Sequence, residues 1–193
     1  AMLSATSGMN SIAHCVEALY AQEANPIVSM LAEEGIRAFA TSLPVVVREP
    51  RNLEARSNAL YGAWLGGIAL GSVGMALHHK LCHTLGGTYN LPHAETHTVV
   101  LPHAVAFNAP TAGEAMNRIA RALGVKSAAS GLYDLASSLG APVSLAALGM
   151  KEGDLDQAAG IAVQNPYYNP RPVTHEGVRA VLQDAFEGRR PAA

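Results

Sequence analysis

The sequence predicts an all-α domain, and three observations carry that prediction. Apolar residues recur at helical spacing nearly throughout, while the alternating runs of Val, Ile and Thr that mark strands are missing. Asn25-Pro26 and Thr174 are helix-start signals: each offers a side-chain oxygen to the first turn, and Pro26 presets a helical φ. The 193 residues are 49% hydrophobic and only 15% charged, which suits one domain of tightly packed helices.

Read in order, a first helix spans about Ser7 to Gln22. A second starts at Asn25-Pro26 and continues to about Val47, with a bend or break expected at Pro44. A third runs from near Asn52 towards Leu70. Its glycines Gly62, Gly66, Gly67, Gly71 and Gly74 form small-residue stripes that let a neighbouring helix approach closely. A histidine-bearing helix follows and should stop at Gly86-Gly87. The next, Ala94 to Phe107, carries Pro102, so a kink is expected there. Shorter helices are predicted over Glu114–Leu123, Ser127–Leu139, Glu152–Gln164 and Thr174–Glu187, with Asn165–Pro172 as a loop. The total is eight or nine helices, without repeats or low-complexity tracts.

Five of the eight histidines fall in one run, HHKLCHTLGGTYNLPHAETH, from His78 to His97. His79 and His83 are i and i+4 and share a helix face; upstream, Asn10 and His14 do the same. Imidazole is the commonest metal ligand and the side chain most easily tuned to move protons near neutral pH. The two helices and His93 therefore predict one converging site. His78 points away from His79, towards the surface or the periphery of such a site. His97 is one turn past His93 and can support it from behind. His103 reads as structural, and His175 as solvated.

Net charge is −2 and no Lys or Arg cluster stands out, which argues against nucleic-acid binding. The longest apolar candidate, Leu60 to Leu77, is interrupted by glycine, so no membrane span is predicted. Residues 1–9 lack the basic start and apolar centre of a signal peptide, and two cysteines do not make a disulfide framework; both point to the cytoplasm. Cys15 and Cys82 each sit one residue from a key histidine but face elsewhere.

The segments SATSGMNSIAHCVEALY, HHKLCHTLGGTYNLPHAETHTVVLPH and NPRPVTHEGVR together resemble the iron-containing alcohol dehydrogenase superfamily, most of all its maleylacetate reductase branch. The resemblance covers nearly the whole chain. It implies the multi-helix C-terminal domain of the dehydroquinate synthase-like fold, occupying residues 1–193. No Gly-rich turn joins a strand to a helix, so the dinucleotide-binding α/β domain that precedes this one in the family is expected to be absent.

The resemblance also implies site roles. Asn10, His14, His79 and His93 stand at the positions that ligate iron or zinc in metal-dependent relatives, with asparagine replacing the usual aspartate. His83 stands at the position beside the nicotinamide ring. A metal is then possible but not required, because imidazoles can stabilise a substrate enolate as an oxyanion hole does. Catalysis would rest on His83, His79, His14 and His93, acting on a dicarboxylate with NADH or NADPH in the full-length homodimeric enzyme. Lys80 and Arg171 are candidate partners for the substrate carboxylates. Two other readings stay open: a metal-dependent alcohol dehydrogenase domain, and a non-catalytic helical dimerisation module.

Overall fold

The computed structural model describes residues 1–192. Among the described residues nine α-helices follow one another: α1 (Met2–Ala18), α2 (Pro26–Arg48), α3 (Leu53–Ser72), α4 (Leu77–Tyr89), α5 (His93–Asn108), α6 (Gly113–Leu123), α7 (Ala128–Ser138), α8 (Leu155–Ala162) and α9 (His175–Glu187). Two short 3₁₀ turns, Ala146–Leu148 and Glu152–Asp154, lie between α7 and α8. No strand occurs among the described residues. No single described helix is long and apolar enough to cross a membrane.

The helix starts follow the expected chemistry. Asn25 accepts from the Val28 N–H, Asn52 from that of Ala55, and Thr174 from that of Gly177. Several ends differ from the sequence expectations. The first helix begins at Met2 and ends at Ala18 rather than Gln22. Gly86-Gly87 does not end α4. The helix runs on to Tyr89 and stops at Asn90, whose φ of 54° is left-handed. Burial of Leu81, Leu85 and Leu91 on one side offsets the roughly 1 kcal/mol that each interior glycine costs. Pro44 and Pro102 lie inside unbroken helices. The predicted Glu152–Gln164 helix resolves into the second 3₁₀ turn followed by the shorter α8.

The core has two parts, and α5 belongs to both. Leu101 and Val105 face a cluster built by α1, α2, α6 and α7. Val99, Val100, Ala104 and Phe107 face one built by α4, α8 and α9. From Thr96 to Asn108, α5 is buried on nearly every side, polar residues included. It forms the axis against which α1 and α4 dock, and those three helices carry the histidines.

The glycines of α3 split into two groups. A β-carbon at Gly62 would lie 3.0 Å from the Phe39 ring, and one at Gly66 only 2.2 Å from Ser11 Oγ and 3.1 Å from Ser11 O. Gly67 and Gly71 meet nothing within 4 Å. Close packing thus explains Gly62 and Gly66, two of the five glycines of the stripe. We expect Gly66→Ala to destabilise the fold by about 1–3 kcal/mol through overpacking. Gly67→Ala should be neutral or stabilising by up to about 1 kcal/mol. Urea denaturation of the two variants checks the contrast, and equal effects would contradict it.

Candidate functional site

The histidine cluster forms where α1, α4 and α5 meet. Helix α1 brings His14, with Asn10 one turn earlier; α4 brings His78, His79 and His83; α5 brings His93 and His97. The His14 and His79 rings stack with centroids 5.1 Å apart. His79 lies 5.0 Å from His97, and His97 lies 4.4 Å from His93. His83 is 6.2 Å from His79. The convergence expected for His14, His79, His83 and His93 is therefore present.

The cluster has a floor and a rim. His78, His79 and His97 are buried beneath; His14 is half-buried, and His83 and His93 are exposed. His78 is not at the surface. It is enclosed between α4 and α5, and its Nε2 lies 2.9 Å from His97 Nδ1, so the two rings share a hydrogen bond. His97 is likewise a central member, touching the rings of His78, His79 and His93.

Beneath the floor lies Glu17, which sequence reasoning passed over. Its carboxylate is fully buried and receives three N–H groups. The Ala76 amide donates to Oε2 at 2.7 Å and the His78 amide to Oε1 at 2.8 Å. His79 Nδ1 lies 2.8 Å from Oε2. The first residues of α4 have no capping side chain of their own, so an acid from α1 caps the helix across 59 to 61 residues of chain. The positive end of the α4 dipole favours that charge. The Leu77 amide is met from the other side by Asn169 Oδ1 at 3.4 Å. The signal in the sequence was the single acid of a helix without Lys or Arg, one turn after His14.

Burial decides the protonation of most rings. It lowers His14 to about 4, assisted by the charges of His79 and His93. It lowers His97 to about 2, assisted by the same two rings and by His14 and His83. His78 is held well below the usual range by burial and then by His97. His83 is lowered mainly by desolvation, then by His79 and His93. These four are neutral imidazoles at pH 7.

Other expected residues fall elsewhere. His103 is buried further along α5, where desolvation lowers it to about 4. It lines a cavity of about 370 Å³ with Phe107 and Arg171, at the end of α5 remote from the cluster. Arg171 stacks on the Phe107 ring at 4.3 Å and donates to the Phe107 carbonyl. That fixes the Asn165–Pro172 loop to the end of α5 and takes Arg171 away from the cluster. Lys80 stays near it, with Nζ 5.8 Å from the Tyr167 ring centroid. His175 is exposed beside Asp156. Cys15 and Cys82 are free and buried; Cys15 fills the space facing Gly35.

A metal ion needs donor atoms that converge. Nitrogen ligands about 2.0–2.1 Å from one ion lie about 3.4 Å from one another. Among the described residues, the one set of three His, Cys, Asp or Glu donors within 4.8 Å of one another is His78, Cys82 and His97. His14, His79 and His93 do not form such a set, and Asn10 offers a neutral oxygen. As placed, the donors at the expected ligand positions do not converge on one ion.

Comparison with known proteins places this architecture. Residues 4–186 match the model of the Fe-containing alcohol dehydrogenase family, C-terminal. The chain belongs to the iron-containing alcohol dehydrogenase family. Members of this family are NAD(P)-dependent and often metal-dependent oxidoreductases. The chain is 57% identical over 190 residues to a maleylacetate reductase of Burkholderia cepacia, covering 98% of this chain and 54% of that protein. It is 56% identical to the corresponding enzyme of Sphingobium indicum, over 99% of this chain and 54% of that one. The crystal structure of maleylacetate reductase from Agrobacterium tumefaciens superposes with a TM-score of 0.96 at 54% identity, covering 98% of this chain and 54% of that one. A putative alcohol dehydrogenase from Ralstonia eutropha superposes at 0.95 with 61% identity, over 97% and 53%. The chain spans about half the length of these relatives.

Neutral buried histidines give stability a definite pH dependence. His14, His78, His97 and His103 are lowered in the fold from an ordinary value of 6.5. Below about pH 6.5 the unfolded chain binds protons that the fold does not, so stability is present above that value and is lost as pH falls towards 4. Tm should therefore drop steadily between pH 7 and pH 5, before most carboxylates titrate, with net proton uptake on unfolding. Differential scanning calorimetry in buffers of different ionisation enthalpy checks this; a Tm flat across that window contradicts it.

Proposed function

We propose that this chain is the histidine-bearing half of an NAD(P)H-dependent maleylacetate reductase and forms one wall of a cleft completed by a nucleotide-binding domain. The observation that carries the reading is the cluster itself: a buried floor of His78, His79 and His97 beneath a rim that ends in exposed His83 and His93. The full enzyme acts in the cytoplasm as a homodimer. The maleylacetate reductases at 50–57% identity supply the substrate class.

The chemistry suits those residues. Maleylacetate is a dicarboxylate with an alkene conjugated to a ketone. Reduced nicotinamide supplies a hydride to the alkene carbon β to the ketone. The alkene electron pair moves towards the ketone, and negative charge develops on its oxygen. A proton then adds to the adjacent carbon, giving the saturated 3-oxoadipate. Imidazole N–H groups can donate to the developing oxyanion. The His78–His97 hydrogen bond contributes directly: when His78 Nε2–H donates, His97 keeps a proton on Nε2. That atom is buried without a protein partner, as are His79 Nε2 and Asn10 Oδ1. A substrate oxygen or hydroxyl satisfies such groups where water does not reach them. Lys80 stands beside the cluster to meet a substrate carboxylate, and His83 on the rim faces the nicotinamide.

A metal-independent reaction agrees with Asn10 and with the separated donors of His14, His79 and His93. Chelation should leave turnover by the full-length enzyme unchanged, whereas Asn10→Asp should raise its affinity for Co²⁺. Loss of activity on chelation, restored by iron or zinc, would favour the metal-dependent alcohol dehydrogenase reading instead.

The 193-residue chain alone should bind NADH more weakly than about 1 mM, because one wall cannot hold the ring in attack geometry. Joined to the nucleotide-binding domain, it should consume maleylacetate with NAD(P)H. His83→Ala should then lower kcat on the order of 10²-fold, while His175→Ala leaves it near wild type. Steady-state kinetics of the two variants decide the point, and equal effects would remove His83 from the mechanism.

A further inference from the structure

We infer that Glu17 is a positioning residue for His79: its buried carboxylate fixes the proton of that ring on Nδ1 and aims Nε2 into the cluster. This rests on the reductase reading for its consequence in catalysis, but not for the geometry. Three donors meet the carboxylate. Two are backbone amides, of Ala76 and His78, which can only donate, so both oxygens are committed as acceptors. The third contact, His79 Nδ1 at 2.8 Å from Oε2, must then be Nδ1–H donating. The remaining nitrogen, His79 Nε2, is buried and has no protein partner. It is the atom left to address whatever enters the cluster.

The arrangement also fixes where the ring stands. The same carboxylate that holds Nδ1 holds the first turn of α4, so ring and helix share one anchor on α1. His14 then stacks on the ring from that same helix, with centroids 5.1 Å apart. No lysine or arginine among the described residues pairs with Glu17, and His79 is its one side-chain partner there. A buried acid that served only as a helix cap would not need the imidazole. Carboxylates behind metal-ligating histidines set the tautomer and orientation of the ring, and their loss costs about 10–100-fold in metal affinity or activity; the same carboxylate–imidazole geometry orients His79 here.

The test uses Glu17→Gln, which keeps the shape but carries an amide that can donate to Nδ1. In the wild-type chain, ¹⁵N-histidine NMR should show His79 with a proton-bearing Nδ1 and a lone pair on Nε2. In Glu17→Gln the population should shift towards the Nε2–H tautomer. In the full-length reductase the same change should lower kcat about 10–100-fold with KM little altered. Glu17→Asp, which retains the charge, should recover part of the loss. A wild-type His79 protonated on Nε2 overturns the inference even if Glu17→Gln fails to fold. A shifted tautomer with unchanged kcat overturns the role in catalysis. Absence of reductase activity in the wild-type enzyme, with the tautomer as expected, would overturn the functional reading and leave the positioning of His79 intact.

Discussion

A carboxylate buried among three N–H groups joins the first helix to the fourth. Glu17 on α1 receives the amides that open α4 and the imidazole of His79, and it is fully enclosed. Its desolvation is costly unless those donors are in place. Once they are, removing any one of them leaves a charge or an amide without a partner. This polar contact of high stakes ties α4 to α1 in addition to the apolar packing of both helices on α5. The positions of His14, His79 and His83 follow from that junction, because each rides on one of the two helices.

The third histidine helix is held differently. α5 is buried on nearly all sides by both parts of the core, so His93 and His97 sit at the end of the most enclosed element of the fold. The consequence is a site made against the grain of stability. His78, His79 and His97 are polar rings in a setting that lowers two of them far below their ordinary range, and several of their nitrogens lack protein partners. Buried unsatisfied polar atoms cost about 1–3 kcal/mol each. Their concentration at one helix junction is a local cost that the packing of the rest of the fold must offset. Asn10 fits this picture. Without an aspartate at that position, the buried acid of the cluster is Glu17, beneath the floor rather than at the rim.

The helices were legible because their periodicity and caps are local. Asn25, Asn52 and Thr174 cap as their side chains dictate. The ends that were misread depend on tertiary burial: Gly86-Gly87 stays helical because its neighbours pack, Pro102 is carried by a helix too well enclosed to break, and Pro44 by the packed face of α2. In the site, the pairs at i and i+4 were readable, since a helix makes them neighbours. Glu17, His78 and His97 were not, because their importance arises only when α1 and α5 close on α4 from either side. Arg171 shows the converse. Its charge suggested a substrate partner, yet the loop that carries it turns the guanidinium onto Phe107.

Native-state hydrogen exchange at Ala76 and His78 tests most directly whether the Glu17 contact governs this junction. Both amides lie at a helix start, where N–H groups with no acceptor exchange through local fraying. If Glu17 holds them as described, both should exchange only through global unfolding, with the same free energy and denaturant dependence as the buried amide of Leu81. Exchange of either amide at the rate of a frayed terminus, while Leu81 stays protected, would show that the carboxylate does not hold α4 and would contradict the account.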